Sequence, residues 1–494
     1  MPNKAPKAKS IIQGTAFTVG MRWTDRLIGI VSTLILARVL VPDDFGVIAM
    51  ASLAIGLADV LLDLGVNVAL IQNRNATQAH FDTAWTLRLI QAAVATLVVL
   101  IAAPFAAEYF KDDRIIPVLQ VLAFANLLSG LENIGVVAFQ KEMQFGAEFR
   151  FMFLRRIAGF SVTILAAWMM QSYWALVIGT LVGRIVGVVL SYTLHPMRPK
   201  LSFEKFAEIF SVSQWMLARS IGVYLQSNAH RILVGRWSPV ATLGAYTVAD
   251  EIAAIPSSEL LAPLNRVLFP AFADASGDPL ELKRLFLLAQ SLQTLIAIPA
   301  AVGLALVANE LVALLLGEKW SMAIPFLQVL ALVNIGHALT TSSGYVLMVL
   351  GQVKSAVLTT WFLIIVFLAL TLTVFRGSDA LTISWIRLTV GGCGGIGISF
   401  WLVLRALPVL RYTDLLNTAA RPLLGAAGMV AVVLIASPNL QLALPLLLVT
   451  KILLGAVSYV GIIFVLWSLA KRPQGAESYL IAKVLAVSSR FRST

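Results

Sequence analysis

Long apolar runs dominate this chain and limit the folds open to it. Of its 494 residues, 59% are hydrophobic and 13% are charged, which is far from the composition of a soluble domain. A helix that crosses a bilayer needs about 20 mostly apolar residues, because hydrocarbon cannot satisfy exposed backbone groups. About fourteen such runs follow one another, from Ala16–Val39 to Leu442–Leu469. The fourth, fifth and sixth runs are predicted at Ile115–Phe139, Phe151–Met170 and Trp174–Leu194. They predict an all-α polytopic membrane protein.

Two of these runs contain an internal sequence repeat. The segment Ile116–Asn126 returns 208 residues later as Ile324–Asn334, with eight of eleven positions identical. Gly46 and Gly244 lie in a second matching pair of segments at nearly the same offset. Chance recurrence of apolar residues is the alternative, but the matches include proline, glutamine and asparagine. Duplicated helix bundles are typical of secondary transporters.

The repeat divides the chain into two similar halves. We expect an N-terminal six-helix lobe and a C-terminal six-helix lobe that share one orientation, because the offset covers six helices. An interfacial amphipathic linker, with Phe203, Phe206 and Phe210 on one face, would join the lobes. The predicted boundaries are 1–200 for the first lobe, 201–213 for the linker, 214–405 for the second lobe, and 406–494 for an extra helix pair with a cytoplasmic amphipathic tail.

The positions of lysine and arginine predict the orientation. Most of them, Arg155 and Arg156 included, are predicted on the side of the membrane that also holds both chain ends. Short cytoplasmic loops carry such an excess of positive charge. Both termini are therefore expected in the cytoplasm, and a bacterial inner membrane fits best. The formal net charge of +12 is explained by this bias without a nucleic-acid partner.

Missing motifs narrow the chemistry further. The chain has no phosphate-binding loop of the G-x-x-x-x-G-K-[ST] type, and its four histidines and one cysteine are scattered rather than clustered as metal ligands. The predicted outer loops are too short for the external domains of membrane polymerases. We therefore expect no cofactor, no metal site, no catalytic residues and no enzymatic activity.

Polar residues at membrane depth are the candidates for a substrate cavity. Such residues are costly in lipid and normally face a cavity or one another. Arg22 and Arg26 lie four apart on the first span, and Arg219, Gln226 and His230 form a stripe on the seventh. The alternative is structural, since arginines can snorkel and a single histidine can be satisfied within a core.

Three aspartates are candidates for coupling transport to an ion. Asp59 and Asp63 lie four apart on the second span, and Asp250 lies on the eighth, which is the repeat-equivalent helix. A partner for a nearby arginine is the alternative role for each. Single charges also occur within the spans, at Arg88, Glu132, Arg184, Arg387 and Lys451.

The opening segment resembles a known family. The segments Ile35–Ala51, ILARVLVPDDFGVIAMA, and Ala69–Asn75, ALIQNRN, are similar to polysaccharide transporters of the multidrug/oligosaccharidyl-lipid/polysaccharide exporter superfamily, the Wzx-type flippases. Length and opening resemble, more narrowly, the succinoglycan biosynthesis transport proteins. The residues that carry the signature are Arg38, Leu40, Pro42, Phe45 and Gly46.

The resemblance implies a pair of lobes that opens alternately to each membrane face. It also implies a substrate made of an oligosaccharide linked by diphosphate to a polyprenol. In related flippases, arginines of the first span contact the diphosphate, and Arg22 and Arg26 match them by position. The acidic cation site of the drug-exporting branch has no matching motif in this chain.

The leading hypothesis is a flippase that translocates lipid-linked exopolysaccharide repeat units by alternating access. Expected partners are the lipid bilayer, the polyprenyl-diphosphate-linked oligosaccharide, and a polysaccharide polymerase with export proteins. A cation-coupled multidrug exporter of the same fold and a membrane polysaccharide polymerase are the alternatives. The sugar, the coupling ion, the oligomeric state and the conformational state stay open.

Overall fold

The computed structural model describes residues 8–62, 66, 70, 73, 75–142, 144–210, 213–473 and 475–479, with side chains given except at 8–19, 22, 209, 210, 213–219 and 439. The chain forms two compact units, Met1–Gly244 and Ala245–Thr494. All regular structure within the described residues is helical, as predicted. The lobe boundaries drawn from the sequence stay a prediction.

The first unit contains most of the predicted N-terminal spans. Its helices are, in chain order, α1 (Ala8–Val39), α2 (Pro42–Leu62), α3 (Gln78–Phe110), α4 (Ile115–Gly130), α5 (Val136–Lys141), α6 (Phe145–Met170), α7 (Trp174–Leu194), α8 (Phe206–Phe210), α9 (Ser213–Trp237) and the first residues of α10 (Val240–Ile255).

The second unit begins within α10 and continues to the chain end. Its further helices are α11 (Ala262–Asp274), α12 (Pro279–Leu306), α13 (Ala308–Leu315), α14 (Ala323–Val349), α15 (Val353–Thr373), α16 (Ala380–Arg387), α17 (Gly395–Ala406), α18 (Tyr412–Ala436) and α19 (Leu444–Leu469). Its core includes the fully buried rings of Phe272 and Phe286.

Ten helical segments of the described part are long and apolar enough to cross a membrane, with α16, α17 and the turn between them counted as one segment, Ala380–Ala406, and α4 is apolar but shorter. The predicted total of fourteen crossings therefore stays a prediction. The fourth predicted run, Ile115–Phe139, is not one continuous helix, because α4 ends at Gly130 and α5 begins at Val136. Hydrogen bonds between backbone and side chains stabilise the break: the Asn133 backbone nitrogen donates to Ser191 Oγ at 2.9 Å, and the Gly135 backbone nitrogen donates to Asn133 Oδ1 at 2.9 Å.

The linker is less helical than predicted. Helix α8 covers Phe206–Phe210, whereas the residues before it follow the start of α3. The backbone nitrogens of Lys200, Ser202 and Lys205 donate hydrogen bonds to side chains of α3, namely Asp82, Thr86 and Thr83. These bonds replace the helical ones, so the amphipathic helix is short. The predicted tail helix lies mostly outside the described residues.

The signature after Arg38 has a structural explanation. Asp44 accepts hydrogen bonds from the Val41 nitrogen at 3.1 Å and from the Tyr173 nitrogen at 2.9 Å, which joins the start of α2 to the start of α7. A Cβ atom on Gly46 would collide with the backbone oxygen of Val240, and one on Gly244 would collide with that of Pro42. The two repeat-equivalent glycines therefore let α2 and the first turn of α10 pack backbone against backbone.

Two helices of the second unit are interrupted by π-helical turns. One turn, Pro256–Leu260, lies between α10 and α11, and the other, Leu388–Gly394, lies between α16 and α17. In an α-helix, such turns often mark functional positions because they free backbone groups. The second turn also approaches α14 closely, where a Cβ on Gly336 would lie 2.7 Å from Gly392 Cα.

Candidate functional site

A polar cavity of about 480 Å³ lies among α1, α6 and α7 in the first unit. Three arginines line it, Arg155 and Arg156 on α6 and Arg184 on α7. Asp25 of α1 also lines the cavity. The hydroxyl-bearing lining residues are Ser32, Thr163 and Thr180. The cavity thus combines cationic groups with hydrogen-bonding ones inside an apolar bundle.

Arg184 lies deep in the membrane-spanning region. It is ten residues from the start of α7 at Trp174, so it stands about 15 Å along the helix at 1.5 Å per residue. This is close to the middle of a hydrocarbon core about 30 Å thick. An arginine at that depth indicates a cavity or an ion-pair network, because exposure to lipid would be costly.

Glycines bring α6 and α7 close enough to form the cavity. A Cβ on Gly179 would collide with the Thr163 side chain, and a Cβ on Gly159 would lie 3.2 Å from the Gly179 oxygen. Small residues spaced four apart allow such close helix packing in membranes. Gly179, Gly183 and Gly187 have this spacing on α7. The arginines therefore project from two helices in direct backbone contact.

Ion pairs connect the cavity arginines to acidic groups. Arg156 Nε lies 3.3 Å from Asp25 Oδ1 at the exposed side of the cavity. Arg155 Nη1 lies 3.3 Å from Glu132 Oε1, and Glu132 Oε2 lies 3.1 Å from Arg88 Nη2. The charges of Glu132, Arg155 and Arg88, together with Asp59, act electrostatically on Arg184. Within this network, arginines outnumber carboxylates.

This arrangement suits an anionic headgroup. A guanidinium is a planar fork that binds phosphate oxygens through paired, charge-assisted hydrogen bonds. Hydroxyl groups beside it can replace water around neighbouring polar groups. Because the cavity is in the bilayer region, each of these interactions is screened less than it would be in water.

The structure describes the side chains of three of the five substrate-binding residues predicted from the sequence. Arg22 and Arg219 belong to helices α1 and α9, but their side chains lie outside the described residues. Arg26 is partly buried on α1, and Gln226 is exposed on α9. His230 is buried, and its Nε2 lies 2.9 Å from the Ser227 oxygen of its own helix. Their role in substrate binding stays a prediction.

The coupling candidates have different surroundings. Asp59 accepts a hydrogen bond from Asn126 Nδ2 at 2.7 Å. Asp63 lies outside the described residues. Asp250 Oδ1 lies 2.7 Å from Arg387 Nη1, and both side chains are nearly buried. The second unit thus contains a buried ion pair that joins α10 to α16.

Sequence reasoning missed Arg155 and Arg156 as site residues. The charge pattern predicts that both arginines are cytoplasmic, near the start of the fifth apolar run at Phe151, whereas the helix that carries them, α6, begins at Phe145. Both arginines therefore lie well inside a helix. The glycine spacing around Arg184 was the available signal, since it indicates a close helix partner that could carry further cavity residues.

A second cavity, of about 420 Å³, lies in the second unit. Apolar side chains from α12, α13, α18 and α19 surround it, including Leu304, Val433 and Val460. Lys451 is its charged lining residue, and its Nζ lies 2.6 Å from Glu310 Oε1. With its cation paired, this cavity suits hydrocarbon rather than an anion.

Comparison with solved structures identifies the fold. The chain matches the lipid II flippase MurJ in an inward closed conformation with a TM-score of 0.74 and 10% sequence identity, over 93% of this chain and 100% of that one. An inward-facing multidrug resistance transporter of the MATE family matches with a TM-score of 0.58 and 15% identity, over 77% of this chain and 94% of that one. At these identities the likeness concerns the fold alone.

The sequence relatives are named for lipopolysaccharide and succinoglycan biosynthesis. The chain is 27% identical to the lipopolysaccharide biosynthesis protein WzxC of Escherichia coli over 66% of this chain and 67% of that protein. It is 24% identical to the succinoglycan biosynthesis transport protein ExoT of Rhizobium meliloti over 72% of each. The model of the family described as polysaccharide biosynthesis protein matches residues 35–325, which is more than half of the chain. This multi-pass membrane protein therefore belongs to the polysaccharide biosynthesis protein family.

Proposed function

We propose that the protein translocates polyprenyl-diphosphate-linked oligosaccharide repeat units across the bacterial inner membrane by alternating access. The cavity of Arg155, Arg156 and Arg184 carries this proposal, because it offers three guanidinium groups to a diphosphate, and one of them, Arg184, lies near the middle of the bilayer. Such a headgroup cannot cross hydrocarbon without polar partners. Both termini are proposed to lie in the cytoplasm.

The rest of the structure supports a lipid-linked substrate. The apolar cavity beside Lys451 suits part of a hydrocarbon chain. The printed names of the relatives concern lipopolysaccharide, teichuronic acid and succinoglycan biosynthesis, and the similar fold of MurJ belongs to a lipid II flippase. We propose a transporter rather than an enzyme, working beside a polysaccharide polymerase and export proteins.

The location of the substrate after gene deletion tests this function. Cells that lack the protein should accumulate the lipid-linked repeat unit in the inner leaflet, where a membrane-impermeant glycan-oxidising reagent added to spheroplasts cannot reach it. Expression of the wild-type chain should restore reagent access. Accumulation in the outer leaflet would instead indicate a defect in polymerisation and contradict the proposal.

A cationic-drug exporter is disfavoured by the same cavity. Its arginines would repel a cation, and the acidic groups close to them are already engaged in ion pairs, as in Asp25 with Arg156 and Glu132 with Arg155. Unchanged drug sensitivity in the deletion strain is the expected result.

A further inference from the structure

Glu132 lies behind the arginine cavity, in the break between α4 and α5. Its side chain is 4% exposed, and a buried carboxylate is costly unless it is paired. Non-helical backbone at membrane depth is tolerated where it is buried in protein or lines a cavity. Here the hydrogen bonds of Asn133 fix the backbone of the break. The position of the neighbouring Glu132 carboxylate is therefore defined by the fold.

Two arginines share Glu132, one on each oxygen. Arg88 of α3 lies 3.1 Å from Oε2, and Arg155 of α6 lies 3.3 Å from Oε1. Arg155 also lines the cavity, whereas Arg88 and Glu132 are not part of its wall. Arg155 therefore stands between an internal carboxylate and the space proposed for the substrate.

The fit around this pair depends on Gly187. A Cβ atom at that position would lie 2.8 Å from Arg155 Cδ and 2.9 Å from Glu132 Oε1. Both distances are too short for ordinary contact, so an alanine would push the pair apart. The third glycine of α7 thus provides the room in which Glu132 reaches Arg155.

We propose that Glu132 is an exchangeable internal counter-ion for the anionic headgroup. In the empty cavity it neutralises Arg155, and when a diphosphate enters, Arg155 turns to the phosphate oxygens while Glu132 stays paired with Arg88. This inference rests on the proposed function and makes Glu132 a positioning residue rather than a contact of the substrate.

The exchange explains how one site could both bind and release a highly charged group. Arginines without a counter-ion would hold a diphosphate tightly and slow its release. An internal carboxylate lowers the affinity, because the substrate must displace it, and it recovers Arg155 when the substrate leaves. Glu132 should therefore weaken binding while allowing faster turnover.

Binding of inorganic pyrophosphate to the purified protein in detergent, followed by calorimetry, tests the inference. Glu132→Gln should bind pyrophosphate about tenfold more tightly than the wild type, because the variant lacks the negative charge that competes with pyrophosphate for Arg155. Glu281→Gln is the matched control, since Glu281 pairs with Arg284 at the start of α12, far along the chain from the cavity. Unchanged or weaker binding by Glu132→Gln would overturn the inference.

A second variant covers the case in which Glu132→Gln does not fold. Gly187→Ala keeps every charge but separates Arg155 from Glu132. Because Arg155 is then partly released from its carboxylate, the variant should also bind pyrophosphate more tightly, by about threefold. No tightening in a monodisperse Gly187→Ala protein would decide against the exchange. If neither wild type nor variants bind pyrophosphate, the anion site itself is wrong.

Transport separates this inference from the proposed function. In cells, Glu132→Gln should lower the maximal rate of repeat-unit export and lower the substrate level that gives half of that rate. If the deletion strain behaves as proposed but the variant leaves both the maximal rate and the half-saturating substrate level unchanged, the function stands and the counter-ion role fails. If the deletion strain does not accumulate the repeat unit in the inner leaflet, the proposed function is wrong, whatever the binding result.

Discussion

Asn126 donates a 2.7 Å hydrogen bond to Asp59, joining α4 to α2. The repeat relates Asn126 to Asn334, and the offset of 198 residues between Gly46 and Gly244 relates Asp59 to Ser257. Ser257 Oγ lies 3.2 Å from Asn334 Oδ1 in the second unit. A side-chain hydrogen bond therefore joins the equivalent positions in both halves, but its direction is reversed: the asparagine donates to a carboxylate in one half and accepts from a hydroxyl in the other.

This duplication predicts a structural role for Asp59. Asp59→Asn should lower the amount of folded protein and reduce stability by about 1 kcal/mol, because a hydrogen bond to a charged acceptor becomes a neutral one. Thermal unfolding followed by fluorescence size-exclusion measures the change. Normal stability with lost export would contradict this prediction and favour a coupling role.

The buried pair of Asp250 and Arg387 predicts non-additive mutants. Arg387→Gln should destabilise the second unit by about 3–5 kcal/mol, since it leaves a carboxylate buried without its ion-pair partner. The double variant with Asp250→Asn should recover most of that loss. Thermal unfolding of the two single variants and the double variant provides the cycle, and additive losses would show that the pair does not interact.

Asp250 is also the coupling candidate to test in transport. Asp250→Asn keeps a side-chain oxygen that can accept a hydrogen bond from Arg387 but removes the negative charge, so it should destabilise the second unit less than Arg387→Gln does, and export is compared at matched protein levels. We expect export to stall while pyrophosphate binding persists. Equal losses of protein level in Asp250→Asn and Asp59→Asn would leave no case for coupling at Asp250.

The sequence predicts the helices well where apolar runs are long and uninterrupted. The sixth run and α7 coincide at Trp174–Leu194, because lipid favours a helix that satisfies its own backbone. The break after Gly130 carries no proline and depends on Asn133 meeting Ser191, a tertiary contact that local sequence does not contain. The π-helical turn at Leu388–Gly394 was missed, although its glycines weaken a regular helix.

The sequence predicts an arginine-lined cavity, but it does not predict which arginines line it. Intramembrane arginine indicated an anion cavity, and Arg184 was visible as an isolated charge at depth. Its neighbours Arg155 and Arg156 could not be assigned to the same cavity, because their proximity follows from the contact of α6 with α7. Arg26, chosen from the sequence, lies on α1, which also contributes Asp25 to the cavity.

The packing of α2 against α10 predicts intolerance of a methyl group at Gly46. Gly46→Ala would force its Cβ into the Val240 backbone, and overpacking of this kind costs about 1–3 kcal/mol or more when backbone must move. Gly303→Ala in α12 is the control, because a Cβ there has nothing within 4 Å. Comparable melting temperatures for the two variants would contradict the close approach.

Outer-leaflet delivery of the lipid-linked repeat unit tests whether the arginine cavity carries the anionic headgroup across the membrane. It is measured in deletion cells that express either Arg184→Gln or Arg150→Gln at matched membrane levels. Arg150 lies on α6 but outside the cavity lining. Its variant is the matched control, because it loses the same charge without changing the cavity wall. We expect Arg184→Gln to reduce delivery by about tenfold or more, the effect of losing a charge-assisted contact at low dielectric, and Arg150→Gln to deliver normally. Normal delivery by Arg184→Gln would show that the arginine cavity does not carry the headgroup.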